Sequence, residues 1–158
     1  MNKLSKKKGF TLIEILVVIG IIALLATIVL IAINPARQFA QARDTQRVSN
    51  LNTLLNGVGQ YIADNKGLST CLDTAGLNAT AKTIRSGGVV ATDIDARACL
   101  VTKYIQELPV DPSTGVAWDG TNYNTGYKIL KDANGRIHLI SDSDELNIPR
   151  TDDIEVVR

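Results

Sequence analysis

Residues 1–33 read MNKLSKKKGFTLIEILVVIGIIALLATIVLIAI, and the reading of this stretch decides what kind of chain follows. Lys3, Lys6, Lys7 and Lys8 come first, and from Ile15 to Ile33 no side chain ionises. About 20 consecutive apolar residues cross a bilayer as a helix. A cleaved secretory signal has a shorter apolar core and ends in small residues at an A-x-A-like site. No such site follows this run closely. On length and charge alone the segment is a single-pass anchor, its basic end held in the cytoplasm and the rest of the chain outside.

The whole chain has 158 residues, 45% of them hydrophobic and 21% charged, with a net charge of +1. That length holds one domain with an appendage. The near-neutral balance argues against a generally basic nucleic-acid-binding surface. One His and two Cys argue against a zinc site, which takes three or four such ligands, and against a Cys–His catalytic pair. No nucleophile–base–acid set stands out. Ser86-Gly87-Gly88 is too short to cradle a phosphate, and no enzyme activity is expected.

A plain anchor leaves Gly9 and Glu14 unexplained. An acid in a membrane segment is costly and usually has a reason. If Gly9–Phe10 is a cut site, cleavage removes four lysines and leaves a new amine on Phe10. That positive charge sits at a helix N-terminus, where the macrodipole opposes it. Glu14 lies four residues on, about one turn away on the same face. It can offset the charge within one chain or between parallel neighbours. Two charges about 4 Å apart at an effective dielectric near 20 attract by about 4 kcal/mol before desolvation. Pairing between neighbours sets a stagger of four residues, roughly 6 Å.

The stretch KKKGFTLIEILVVIGIIALLA resembles the class III signal of type IV prepilins and of the pseudopilins of type II secretion systems. The shared elements are the short basic leader, Gly9, Phe10, Glu14 and the uninterrupted apolar helix. The resemblance implies cleavage after Gly9 by prepilin peptidase and N-methylation of Phe10 by the same enzyme. It further implies a role for Glu14, with the Phe10 amine, in adding subunits to a filament.

Beyond Ile33, Asn34-Pro35 reads as a break and restart, or as a kink: Pro disfavours helix before it, yet Asn caps helices and Pro suits their first position. The helix then resumes from Ala36 to about Asn65. Val48, Leu51, Leu55, Val58 and Ile62 follow steps of three and four, with Leu54 and Tyr61 flanking. Arg37, Arg43, Asp44 and Arg47 form the opposite, wetter side. Gly57 and Gly59 weaken the pattern, and Gly67 is the expected C-cap.

Residues 67–158 make a head whose core the helix stripe completes. Cys71 and Cys99, outside the membrane, are expected to pair, closing a loop worth roughly 3.5 kcal/mol on chain-entropy grounds. The Ala-, Thr- and Gly-rich stretch between them reads as a variable surface loop, and Ala98–Ile105 as a short helix. Pro109, Pro112, Gly115 and Gly120 mark turns. YIQELPVDP (104–112) resembles the stretch before the sheet in many pilins. Tyr127–Lys131 and Arg136–Ser141 alternate around Asp132-Ala133-Asn134-Gly135, a hairpin signal. Ile154–Val157 adds a third strand. Trp118 and Tyr123 read as packing residues and His138 as a surface residue within a strand.

No cofactor is expected and no metal is assigned. Asp142, Asp144, Glu145, Asp152 and Asp153 read as solvated turn acids. Their alternative is a calcium loop of the kind major pseudopilins hold in this region, whose usual glycines this chain lacks. Arg37, Arg43, Arg47, Lys66, Lys82 and Arg85 carry no nucleic-acid motif, though a DNA-contacting patch is the reading they would support.

The fold class expected is α+β and pilin-like: a long N-terminal helix, membrane-spanning then amphipathic, packed on a small antiparallel sheet. Its parts are a leader (1–9), a transmembrane or filament-core helix (10–33), the amphipathic continuation (34–66) and the head (67–158). The function expected is that of a structural subunit of a type IV pilus or pseudopilus-type filament. The expected partners are identical or related pilin subunits, prepilin peptidase, the inner-membrane assembly machinery and, before assembly, the lipid bilayer. The chain would start as a single-pass inner-membrane protein and end in a periplasmic or extracellular filament. The alternative is an anchored extracytoplasmic binding domain that never polymerises.

Overall fold

A computed structural model of the protein describes residues 9–89, 91–142 and 154–158, the side chains of 31–33 excepted. The chain divides into two compact units, Met1–Phe39 and Ala40–Arg158.

In the first unit, α1 (Leu12–Ile33) is the one described helix long and apolar enough to cross a membrane. Its large apolar side chains are at least half exposed from Leu12 to Leu30. It ends where Asn34 turns left-handed, with φ 45°. The next helix, α2 (Pro35–Asp64), starts at once. The Arg37 amide donates to the Asn34 carbonyl at 3.1 Å and to its Oδ1 at 3.4 Å. Asn34 therefore closes one helix and caps the next, and Pro35 takes the first position, where no N–H is needed. The junction is a break and restart.

In the second unit, α2 supplies Leu51, Leu54, Leu55, Val58 and Tyr61 to the core. The buried stripe is rotated from the expected one. Leu54 and Tyr61 lie at its centre and Val48 is 40% exposed. The stripe takes in Arg47, placed by sequence on the wet side and found fully buried. The helix ends in a Schellman motif: Gly67 N–H donates to Ile62 O at 2.8 Å and Lys66 N–H to Ala63 O at 3.3 Å. The left-handed residue just past the cap is thus Lys66 (φ 59°), one before the expected Gly67 (φ 85°).

A short α3 (Thr70–Thr74) is joined by the Cys71–Cys99 disulfide to an equally short α4 (Arg97–Leu100). The latter covers only the first part of the helix expected over 98–105. Between them, the stretch expected to be surface loop supplies two strands, β1 (Lys82–Arg85) and β2 (Asp93–Ile94). They bring Ile84 and Ile94 into the core, each 1% exposed. Alternation explains β1, since Lys82 and Ile84 point inward while Thr83 and Arg85 point out.

The hairpin forms from β3 (Asn124–Lys131) and β4 (Ile137–Ser141), and β5 (Ile154–Val157) pairs with β4. The sheet order is β2-β1-β3-β4-β5, antiparallel except for β1–β2. Tyr127, Ile129, Ile137 and Leu139 face the α2 stripe within one apolar cluster. Full burial of such a side chain contributes about 1.5–3 kcal/mol. Lys131 reaches from the hairpin to Ser69 Oγ (2.7 Å) and Asp73 (3.3 Å), holding α3 beside the sheet. The layout is α+β and pilin-like: an apolar helix continued by a second helix, then a five-stranded sheet.

Candidate functional site: the N-terminal processing and assembly segment

Gly9, Phe10 and Thr11 precede the first helical residue and lie outside regular structure. Gly9 is exposed with open space about it, and Phe10 is 85% exposed. A peptide bond here is reachable by a protease, which a bond inside α1 would not be.

Thr11 is the N-cap of α1 and Glu14 its third residue, and together they form a capping box. Glu14 Oε2 accepts the Thr11 N–H at 2.7 Å and the Thr11 hydroxyl at 2.8 Å. In return the Glu14 N–H donates to Thr11 Oγ1 at 3.2 Å. Such a box satisfies amides that a helix start otherwise leaves without partners. Sequence reasoning paired Glu14 with Phe10 and passed over Thr11. The signal was present, because Thr-x-x-Glu before an apolar run is the capping-box pattern. Thr11 and Glu14 meet at the start of α1, with Phe10 directly before them in the chain, and both Thr11 donors go to a single carboxylate oxygen.

The head carries a second polar centre that the sequence did not announce. Arg47 donates through Nε to Asp111 Oδ2 at 2.6 Å and through a terminal nitrogen to Ser113 Oγ at 2.7 Å; its other terminal nitrogen meets Asp44 at 2.7 Å. Burial acts to raise the Asp111 carboxyl. The Arg47 guanidinium and the Ser113 and Thr114 N–H groups outweigh it and hold the group far below the usual carboxylate range. Asn50 extends the network to Val110 O and to the Tyr127 hydroxyl at 2.8 and 2.9 Å. Both charged side chains are wholly shielded from solvent, and their bonds lock α2 to the 110–115 loop.

Trp118 and Tyr123 pack edge to face at 6.2 Å, with Arg97 4.2 Å over the indole and paired to Glu107. His138 does lie in a strand, held by Glu155 of β5 and, at 3.4 Å, by Asp132 of the hairpin turn. The set of basic residues weighed as a DNA patch does not form one surface, since Arg47 and Lys82 are 0% and 4% exposed. Among the described residues no group of three or more His, Cys, Asp or Glu is disposed to hold a metal ion. Asp142 pairs with Lys128. Asp144, Glu145, Asp152 and Asp153, and with them the calcium alternative, lie outside the described residues.

No curated protein and no solved structure matches the chain significantly. Residues 4–30 match the family model described as the prokaryotic N-terminal methylation motif. The motif is that of prepilins, and in general it implies pilin subunits and processing by prepilin peptidase. Residues 4–8, Gly9, Phe10, the capping box and most of α1 thus lie within a prepilin-type methylation signal, which supports a prepilin-like subunit of the type IV pilin and pseudopilin class.

Proposed function

We infer that the chain is a structural subunit of a type IV pilus or pseudopilus-type filament. It is inserted once in the inner membrane with Lys3, Lys6, Lys7 and Lys8 on the cytoplasmic side. Prepilin peptidase cuts between Gly9 and Phe10 and methylates the Phe10 amine. Subunits then leave the bilayer and assemble outside it through α1.

The observation that carries this reading is the methylation motif lying over an apolar helix with every face exposed. Lipid satisfies such a helix before assembly, and identical neighbouring helices satisfy it afterwards, so one surface serves both states. Glu14 supports the same reading. Thr11 occupies only its Oε2, and Oε1 has no partner among the described residues. The open oxygen suits a neighbour's Phe10 ammonium without loss of the helix cap. Methylation leaves that amine charged.

The test is the mass of the mature N-terminus, together with electron microscopy of sheared filaments. A methylated Phe10 start on filament-borne protein is the expected result. A Met1 start on functional protein would overturn the reading in favour of a non-polymerising anchored domain.

A further inference from the structure

Asn134 and Gly135 form the exposed tip of the β3–β4 hairpin, outside any regular element. The Asn134 side chain makes no hydrogen bond among the described residues; its main chain is positioned by a 2.9 Å bond to Asp132 Oδ1. Gly135 has φ 83° and open space where a Cβ would stand, so no side chain of its own stands in the way of ring closure. We propose that Asn134 is a site of spontaneous deamidation, through attack by the Gly135 nitrogen on the Asn134 side-chain carbonyl.

The chemistry needs only water. The Gly135 nitrogen gives its proton to solvent hydroxide and forms a C–N bond to Asn134 Cγ. The Cγ–Nδ2 bond breaks, and ammonia leaves after taking a proton from water. Water then opens the five-membered imide at either carbonyl, yielding aspartate or isoaspartate at 134 with no oxidation or reduction. The Gly135 N–H donates to Asp132 O at 3.0 Å, and this turn bond opens first. Exposed turn bonds lie at the low-stability end of a structure.

The same chain carries two internal controls. Asn56–Gly57 lies inside α2, where Asn56 Oδ1 accepts from Arg158 at 3.3 Å and Gly57 is packed so that a Cβ would sit 2.8 Å from Ile105 Cγ2. A helical backbone engages the Gly57 amide and keeps it from the Asn56 side chain. Asp119–Gly120 is exposed, but Asp119 accepts the Thr121 and Asn122 N–H groups at 2.8 and 2.7 Å. The Asn122 and Thr121 bonds lower its carboxyl from the usual value, and an ionised carboxylate resists ring closure.

The product places a new carboxylate beside Asp132. In the isoaspartate form it also adds a backbone carbon to the turn that sets the hairpin register. Gly135 borders the apolar groove lined by Leu55, Val58, Ile62 and Ile137, so the change falls at the rim of that groove.

The experiment ages the full chain in detergent at mildly alkaline pH and maps its peptides by mass spectrometry. Aspartate and isoaspartate should accumulate at 134 several-fold ahead of any change at 56 or 119, with both asparagines reacting once the chain is unfolded in urea. Asn134→Gln should fold normally and lose the acidic charge variant on isoelectric focusing. If 134 stays an amide in the folded chain while the urea-unfolded chain converts, or if 56 reacts as fast as 134, the proposal fails.

Discussion

Arg47 Nε lies 2.6 Å from Asp111 Oδ2, and both side chains are wholly shielded from solvent. This pair joins α2 to a loop 64 residues further on. Removing two charges from water costs several kcal/mol per ion, repaid only when geometry and further hydrogen bonds are good. Here Ser113, Thr114 and Asp44 supply those bonds. Asp111→Ala leaves a buried guanidinium without its main partner and should cost about 3–5 kcal/mol. Arg47→Met with Asp111→Leu should cost well under the sum of the two single changes. Thermal or denaturant melts of the detergent-solubilised chain read both. Equal additive losses would show that the pair acts as two independent groups.

The same carboxyl sets an acid limit. Its pKa in the folded chain is depressed, burial opposing but Arg47 and the two amides prevailing. A depressed acid stabilises the fold at every pH above its unfolded value, near 3.9. That contribution falls as pH drops below 3.9 and is gone once pH passes the lower folded value. The melting temperature should therefore hold level from neutrality to about pH 4 on this account and decline below it. Asp111→Asn should start lower at neutral pH and show a shallower acid decline. An unchanged acid slope in that variant would remove Asp111 from the explanation.

How far residues announced these features depends on how local their causes are. The β3–β4 hairpin is readable because alternation and the Asp-Ala-Asn-Gly turn lie within one short window. β1 and β2 are not, because four and two residues carry too little periodicity, and their pairing partners are distant in the chain. Arg47 is unreadable for the same reason. A charged residue on a helix reads as wet until its partner, in a loop with its own turn chemistry, is known. Ala98–Ile105 looks helical from composition, yet Val101 becomes extended after Leu100 and the helix stops. Thr11 is legible as a cap, since its pattern is complete in the four residues Thr11 to Glu14.

Lys66 occupies the left-handed position that closes α2, with Gly67 directly after it. An L-residue with a Cβ pays roughly 1–2 kcal/mol in that conformation, and glycine does not. Glycine also loses more chain entropy on folding, which returns part of the gain. Lys66→Gly should therefore stabilise the head by up to about 1 kcal/mol, while Lys66→Val should destabilise it, β-branched residues being poor in this region. The opposite ranking of the two variants in urea melts would place the strain elsewhere.

The two roles of Glu14, helix cap and charge partner, separate by substitution. Glu14→Gln keeps an oxygen that can accept from Thr11 but carries no charge. Glu14→Ala loses both functions. Thr11→Val keeps the carboxylate and one of its two donors but gives up the hydroxyl, a change worth about 1 kcal/mol at a helix start. If Glu14 serves only to start the helix, Gln should support filaments and Val at 11 should impair them. If the charge pairs with a neighbour's Phe10 amine, Gln should fail nearly as badly as Ala while Thr11→Val causes a milder loss. The second pattern is expected, because both Thr11 bonds fall on Oε2 and leave Oε1 open. All three variants should still insert in the membrane, since α1 keeps its apolar run. Filament yield by electron microscopy, measured beside membrane-fraction levels, decides between the patterns. Wild-type filament yield from Glu14→Gln would end the charge-pairing account.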